Sequence, residues 1–208
     1  YLMAGSMAEV IIIGAGLTVG LSVPGFPLPL LAAQILWVNI VTDILPNIAL
    51  AFDPEEPGIM QEPPRKSAEA LLLRWHWALI AIVSVSTGLI AFALFWYFWE
   101  LTGNVALARS VAFMSHAACS LTYIFSIRSL RHSVLRSNPF SNPWLVLAVC
   151  GAFGLQFVAL YAAPVQSVLR TEGLQAGAWV AIGVSVVIIL CVIELIKALW
   201  LIPRQKKA

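Results

Sequence analysis

The stretch Ile35 to Phe52, ILWVNIVTDILPNIALAF, has the length and apolarity of a membrane-crossing helix, yet Asn39, Thr42, Asp43 and Asn47 interrupt it and Pro46 stands among them. Helical spacing puts Asn39 and Asp43 on one face with Thr42 adjoining, so an amide oxygen, a carboxylate and a hydroxyl share one surface. Pro46 contributes a further oxygen. It has no N–H, so the carbonyl of Thr42 loses its usual intrahelical partner and the preceding turn distorts. Carbonyls freed at membrane depth persist only where they line a cavity or are bound. A mixed oxygen set of this kind suits a hard cation such as Ca²⁺, or Mn²⁺ with much the same ligands, whereas zinc would call for His or Cys. The same residues also fit a proline-kinked helix whose polar groups bond only to neighbouring helices.

Only three of the ten acidic side chains, Glu9, Asp43 and Glu194, fall inside apolar spans. An ionised group at the centre of a spanning helix costs roughly 2.5 to 3.5 kcal/mol on the insertion scale, so it faces protein or water. Glu194 has a pairing partner in Lys197, close enough along a helix for the lysine to snorkel. Glu9 and Asp43 have no basic residue within a helical turn, which makes them the candidate ligands. Ser6, one turn before Glu9, shares its side, although small-residue packing alone would account for it.

The elements that must hold these groups follow from composition. The 208 residues are 61% hydrophobic and 11% charged, with a mean hydropathy of +0.91, which excludes a soluble domain. A bilayer core about 30 Å thick needs roughly 20 apolar residues per helix. Six segments qualify: Tyr1 to Leu21, Leu28 to Phe52, Trp77 to Trp99, Val105 to Phe125, Trp144 to Tyr161 and Trp179 to Leu201. The expected fold is all-α, a polytopic membrane protein. The net charge of +2 is too small to argue for nucleic acid.

Basic residues sort by side. Arg65, Lys66, Arg74, Arg128, Arg131, Arg136, Arg204, Lys206 and Lys207 lie in alternate connections and the tail, against Arg170 and the boundary residue Arg109 opposite. The positive-inside rule then sets both ends in the cytoplasm. Trp75, Trp77, Trp96, Trp99, Trp144, Trp179 and Trp200 cluster at span ends as an interfacial belt. Gly16 and Gly20 have GxxxG spacing, which reads as close helix packing. Cys119, Cys150 and Cys191 sit in apolar runs without metal spacing, as small buried residues. Tyr1 opens inside a helical pattern without a methionine, as in a piece of a longer protein.

The run LWVNIVTDILPNIALAF, followed by DPEEPGIMQEPPR, resembles the membrane half of P-type cation pumps, specifically the Ca²⁺-transporting ATPases of the sarcoplasmic and endoplasmic reticulum kind and their bacterial relatives. The resemblance extends over the whole chain as the last six of ten membrane helices. It implies that Asn39, Thr42 and Asp43 are cation ligands on the sixth helix and Glu9 the ligand carboxylate on the fifth. Ser6 stands where the family commonly has an asparagine ligand, and alignment of ARSVAFMSHAACSLTYIF puts Ser120 where the eighth helix carries a glutamate. With those two ligands weakened, one ion per cycle is expected. Asn39 argues against the sodium/potassium branch, which has aspartate there. His116, one turn before Ser120, reads as packing or a boundary hydrogen bond.

The resemblance further implies that residues 53–75 form the cytoplasmic loop that couples the membrane domain to the phosphorylation domain. Asp53, Pro63, Pro64 and Arg65 belong to it, and its prolines stiffen the backbone. The D-K-T-G-T and T-G-E motifs do not occur in the 208 residues. Phosphorylation, ATP binding and Mg²⁺ would therefore belong to upstream domains of the same protein, which with its first four helices and the lipid bilayer are the expected partners. The implied activity is ATP-driven Ca²⁺ export with proton return, because two carboxylates emptied of their ion in a poorly solvated place are less costly protonated. A passive channel, a secondary exchanger or an inert anchor fits six spans with central acids as well. Short outer loops suggest a bacterial cytoplasmic membrane.

Overall fold

The computed structural model describes residues 1–54, 72–128, 134 and 138–201. Six helices in it are long and apolar enough to cross a bilayer, and the described residues contain no strand. They are α1 (Leu2–Ser22), α2 (Ala32–Leu50), α3 (Arg74–Thr102), α4 (Val105–Ile127), α5 (Pro143–Tyr161) and α7 (Ala176–Ile196). A short helix, α6 (Ala163–Leu169), lies between α5 and α7. The spacing of apolar runs predicts only a connecting loop there; α6 starts with Pro164 in its first turn and ends at Arg170, whose φ of 52° is left-handed. The six expected spans are all present, with limits displaced by a few residues.

Local chemistry explains most ends. Asn104 caps α4, its side chain accepting from the N–H groups of Ala106 and Leu107, a standard use of asparagine at this position. Asn142 caps α5 in the same way through Leu145, and Pro143 follows it in the first turn, where its missing N–H costs nothing. Gly103 ends α3 with φ 64°, a conformation glycine adopts without penalty.

Helix α4 is the central pillar, packed against α3, α5 and α7. Its inward positions are mostly small, including Ala108, Ala112, Ala117 and Ala118, which lets neighbouring backbones approach closely in a medium where apolar contact with lipid competes with apolar contact between helices. Leu17, Leu21, Val180 and Val187 are exposed, as befits surfaces that face acyl chains. Phe26 closes the end of the bundle opposite Arg128, ringed by Phe92, Phe95, Trp96 and Trp99 at centroid distances of 5.0 to 6.2 Å.

The closest helix contact is between α1 and α3. A Cβ placed on Gly88 would lie 2.9 Å from the carbonyl oxygen of Ala8 and from Ile11. Of the GxxxG pair in α1, Gly16 meets Pro29 but Gly20 has open space, so the motif does not make a helix-helix seam here. The Glu194 pair expected from spacing is present, with Lys197 Nζ 2.9 Å from Oε1, and Ser126 donates to the same oxygen. Gly88→Leu is expected to destabilise the bundle by about 1–3 kcal/mol through overpacking, while Gly20→Ala leaves it unchanged; thermal unfolding of the two variants in detergent checks the contrast.

Candidate cation site

Helix α2 is not regular through its polar stretch. Residues Asn39–Ile44 form a π-helical segment between α-helical halves Ala32–Val38 and Leu45–Leu50. The proline accounts for its place: Pro46 sits at the start of the second half and cannot donate to Thr42, so the ladder loosens in the turn before it. The carbonyl of Thr42 is taken up by Tyr1, whose hydroxyl donates to it at 2.9 Å.

The bend turns the polar side chains inward. Thr42 is fully buried, and Asp43 and Glu9 are 3% and 6% exposed. Asn39 links the first two helices, its Nδ2 donating to Glu9 Oε2 at 3.1 Å and to the carbonyl of Ile35 at 3.0 Å. Both amide hydrogens are then committed, which leaves Asn39 Oδ1 as acceptor only. Glu9 Oε1 has no hydrogen-bond partner. Asp43 reaches α1 at Gly5, where a Cβ would lie 3.3 Å from Oδ2. Gly5 and Glu9 are one turn apart, so both carboxylates lie along the same stripe of α1.

The structure therefore brings Glu9, Asn39, Thr42 and Asp43 together. Ser6 is exposed on α1. Ser120 is fully buried in α4, with no hydrogen bond to the four. The α4 residue that reaches them is His116, whose Nε2 is 3.7 Å from Glu9 Oε1; packing or a boundary contact had been expected of it. Among the described residues no three His, Cys, Asp or Glu side chains converge as a metal cluster, so a cation here would depend on amide and hydroxyl oxygens as well as on carboxylates.

Two further contributors were not apparent in the sequence. Gln156 of α5 is fully buried and donates from Nε2 to Thr42 Oγ1 at 3.0 Å, while its Oε1 has no partner. Its only sequence signal was being a lone amide in an otherwise apolar span. Gly5 gave no signal at all, since it matters through what a side chain there would displace.

Asp53, at the head of the expected coupling loop, is held by Arg128 through Nε to Oδ2 at 3.1 Å and Nη2 to Oδ1 at 2.8 Å. Asn142 Nδ2 donates to Asp53 Oδ1 and to the carbonyl of Ala49, each at 3.0 Å. Pro63, Pro64 and Arg65 lie outside the described residues.

Six apolar helices that bury a group of oxygen-bearing side chains against a broken second helix define a multi-pass membrane domain of the cation-pump class. The chain belongs to the family described as Cation transporting ATPase, C-terminus, which matches residues 27–199, the C-terminal membrane domain of P-type ATPases. It is 36% identical over 179 residues to the Probable cation-transporting ATPase F of Mycobacterium tuberculosis and of Mycobacterium bovis, covering 85% of this chain and 19% of each relative. It is 33% identical over 192 residues to a Calcium-transporting ATPase of Bacillus subtilis, covering 90% of this chain and 21% of that protein. The chain thus spans about a fifth of the length of these relatives.

The close approach at Gly5 yields a prediction. Gly5→Val in the full-length protein is expected to drive the Asp43 carboxylate away and lower cation affinity on the order of tenfold, with Gly5→Ala affected less; equilibrium binding of ⁴⁵Ca²⁺ measures both.

Proposed function

We propose that this chain is the cation-binding membrane portion of an ATP-driven pump that moves Ca²⁺, with Mn²⁺ as the alternative cargo, out of the cytoplasm in exchange for protons. The observation that carries this reading is the hydrogen bond joining half-buried Asn39 to buried Glu9 across two adjacent helices, beside buried Asp43, with Glu9 Oε1 left without a partner. Hydrogen bonding between neighbouring helices, the blander account of these residues, takes up Glu9 Oε2 but not Oε1. The name of the Bacillus subtilis relative supports Ca²⁺.

In this reading the cation sheds most of its water and is held by Glu9 Oε1, Asn39 Oδ1, the Thr42 hydroxyl and the Asp43 carboxylate. Gln156 holds the Thr42 hydroxyl in place, and Asn39 holds the other oxygen of Glu9. One ion per cycle is consistent with Ser6 and Ser120 making no hydrogen bond to these four residues. When the ion leaves outward, protons take its place on the carboxylates. ATP hydrolysis with Mg²⁺, and the phosphorylation that drives the alternation, belong to the upstream portion, whose helices would cover the exposed faces of α1 and α2. Residues 53–75 would carry the coupling, with both ends of the chain in the cytoplasm of a bacterial cell.

Replacing Asp43 with Asn removes the charge and keeps the shape. ATP-dependent ⁴⁵Ca²⁺ uptake by inside-out vesicles carrying the full-length D43N protein is expected to fall at least about tenfold, the consequence of roughly 1.4 kcal/mol lost from the bound ion. Undiminished uptake would refute the ligand assignment.

A further inference from the structure

We propose that Arg109 and Arg170 form a binding site for the headgroup of an anionic phospholipid, at the end of the bundle opposite Asp53 and Arg128. Arg109 is half-buried near the start of α4, and Arg170, exposed, ends α6. Hydrogen bonds fix the turn that carries Arg170 beside Arg109. The carbonyl of Leu169 accepts from Gln34 of α2 at 3.1 Å, and the N–H of Glu172 donates at 2.8 Å to the hydroxyl of Ser110, the neighbour of Arg109. Asn104, the cap of α4, donates to the Glu172 carboxylate at 2.8 Å. The two guanidinium groups are thereby close enough to act on each other electrostatically.

Neither charge is matched among the described residues. Arg109 donates through Nε to the carbonyl of Leu28 at 2.8 Å and leaves both Nη groups without an acceptor, while Arg170 makes no hydrogen bond or ion pair. Glu172, two residues along, is bonded by Asn104 instead. Like charges held together at a partly desolvated boundary repel. The backbone adds a separate sign. Arg170 has a φ of 52°, in the left-handed region that glycine adopts without penalty and a residue with a β-carbon does not. A guanidinium placed there at that cost and then left unpaired points to a ligand outside the chain.

The surroundings select the ligand. Trp179, its ring N–H donating to the hydroxyl of Tyr161 at 3.3 Å, lies at this end of the bundle with Trp99, which sets the level at the lipid headgroups. Val168, two residues before Arg170, and Leu28, whose carbonyl Arg109 holds, are exposed and offer acyl chains an apolar surface. A phosphodiester has two free oxygens that guanidinium forks bind through geometry as well as charge. A zwitterionic lipid brings the same phosphate together with an ammonium that two arginines repel, so a lipid of net negative charge such as phosphatidylglycerol is favoured. With the ends of the chain in the cytoplasm, as proposed above, this lipid is one of the outer leaflet; its binding does not depend on the cation site.

The experiment uses the full-length protein in nonionic detergent, with native mass spectrometry measuring its binding of phosphatidylglycerol and of phosphatidylcholine with identical acyl chains. Wild type is expected to hold phosphatidylglycerol more tightly by on the order of tenfold, and Arg170→Gly and Arg109→Gln each to lose about fivefold of that preference, with phosphatidylcholine unchanged. Arg170→Lys keeps the charge and most of the binding. Arg170→Gly is expected to fold at least as well as wild type, since glycine suits the left-handed position, so thermal unfolding separates a lost lipid from a lost fold. Unchanged phosphatidylglycerol binding in either variant overturns the shared site, and equal loss of both lipids overturns its preference for net negative charge. Displacement of the lipid by millimolar inorganic phosphate makes the free anion the ligand and overturns the lipid assignment. Should Arg109→Gln not fold, Arg170→Gly decides alone.

Discussion

Oxygens buried in a bilayer have no water to fall back on, and that constraint organises the polar interior of this chain. Each polar group must find a partner within the bundle or carry a cost of kcal/mol order. Asn39 spends both its amide hydrogens on Glu9 and Ile35. Gln156 spends one on the hydroxyl of Thr42, and Tyr1 supplies a donor to the carbonyl that Pro46 released. The donors of these residues are thus used up, while the acceptors Glu9 Oε1 and Gln156 Oε1 are left without partners. Such a surplus of oxygen is a poor arrangement for a folded core alone and a suitable one for receiving a cation.

The two helices that carry the buried carboxylates are built with different stiffness. Helix α1 is locked beside Glu9, because Ala8, next to it, packs against α3 where Gly88 has no side chain. Helix α2 is interrupted over Asn39–Ile44, and its second half starts with a proline. A ladder missing one N–H and stretched to a wider turn has fewer equivalent bonds to hold its register. Glu9 therefore stands on a fixed wall, and Asn39, Thr42 and Asp43 stand on the more compliant one.

Much of this was legible in the sequence because it depends on residue type and spacing. Six apolar runs gave six helices, and the cost of burying Glu9 and Asp43 singled them out before any contact was known. What remained hidden depends on which faces meet. The register of α4 against α1 decides that His116 and not Ser120 reaches Glu9, and a shift of one turn leaves the apolar pattern nearly unchanged. Gln156 needed knowledge that α5 lies against the bend of α2. Gly5 matters as an absence, and Gly20 shows the reverse, a glycine at a packing spacing with nothing packed on it. Helix α6 escaped because seven residues carry too short a pattern to separate from a loop.

The polar group does not end at the bend. Seven residues after Pro46, Asp53 receives Arg128 from the end of α4 and Asn142 from the cap of α5, and Asn142 also holds the last turn of α2 through Ala49. Arg128 reaches the segment before α5 as well, donating to Pro139 and Ser141. Charge-assisted bonds in a partly buried setting are stronger and more directional than neutral ones. One end of α2 is therefore tied to the central pillar while its middle is loosened. The second half of α2 joins that tie directly to the bend that carries Asp43.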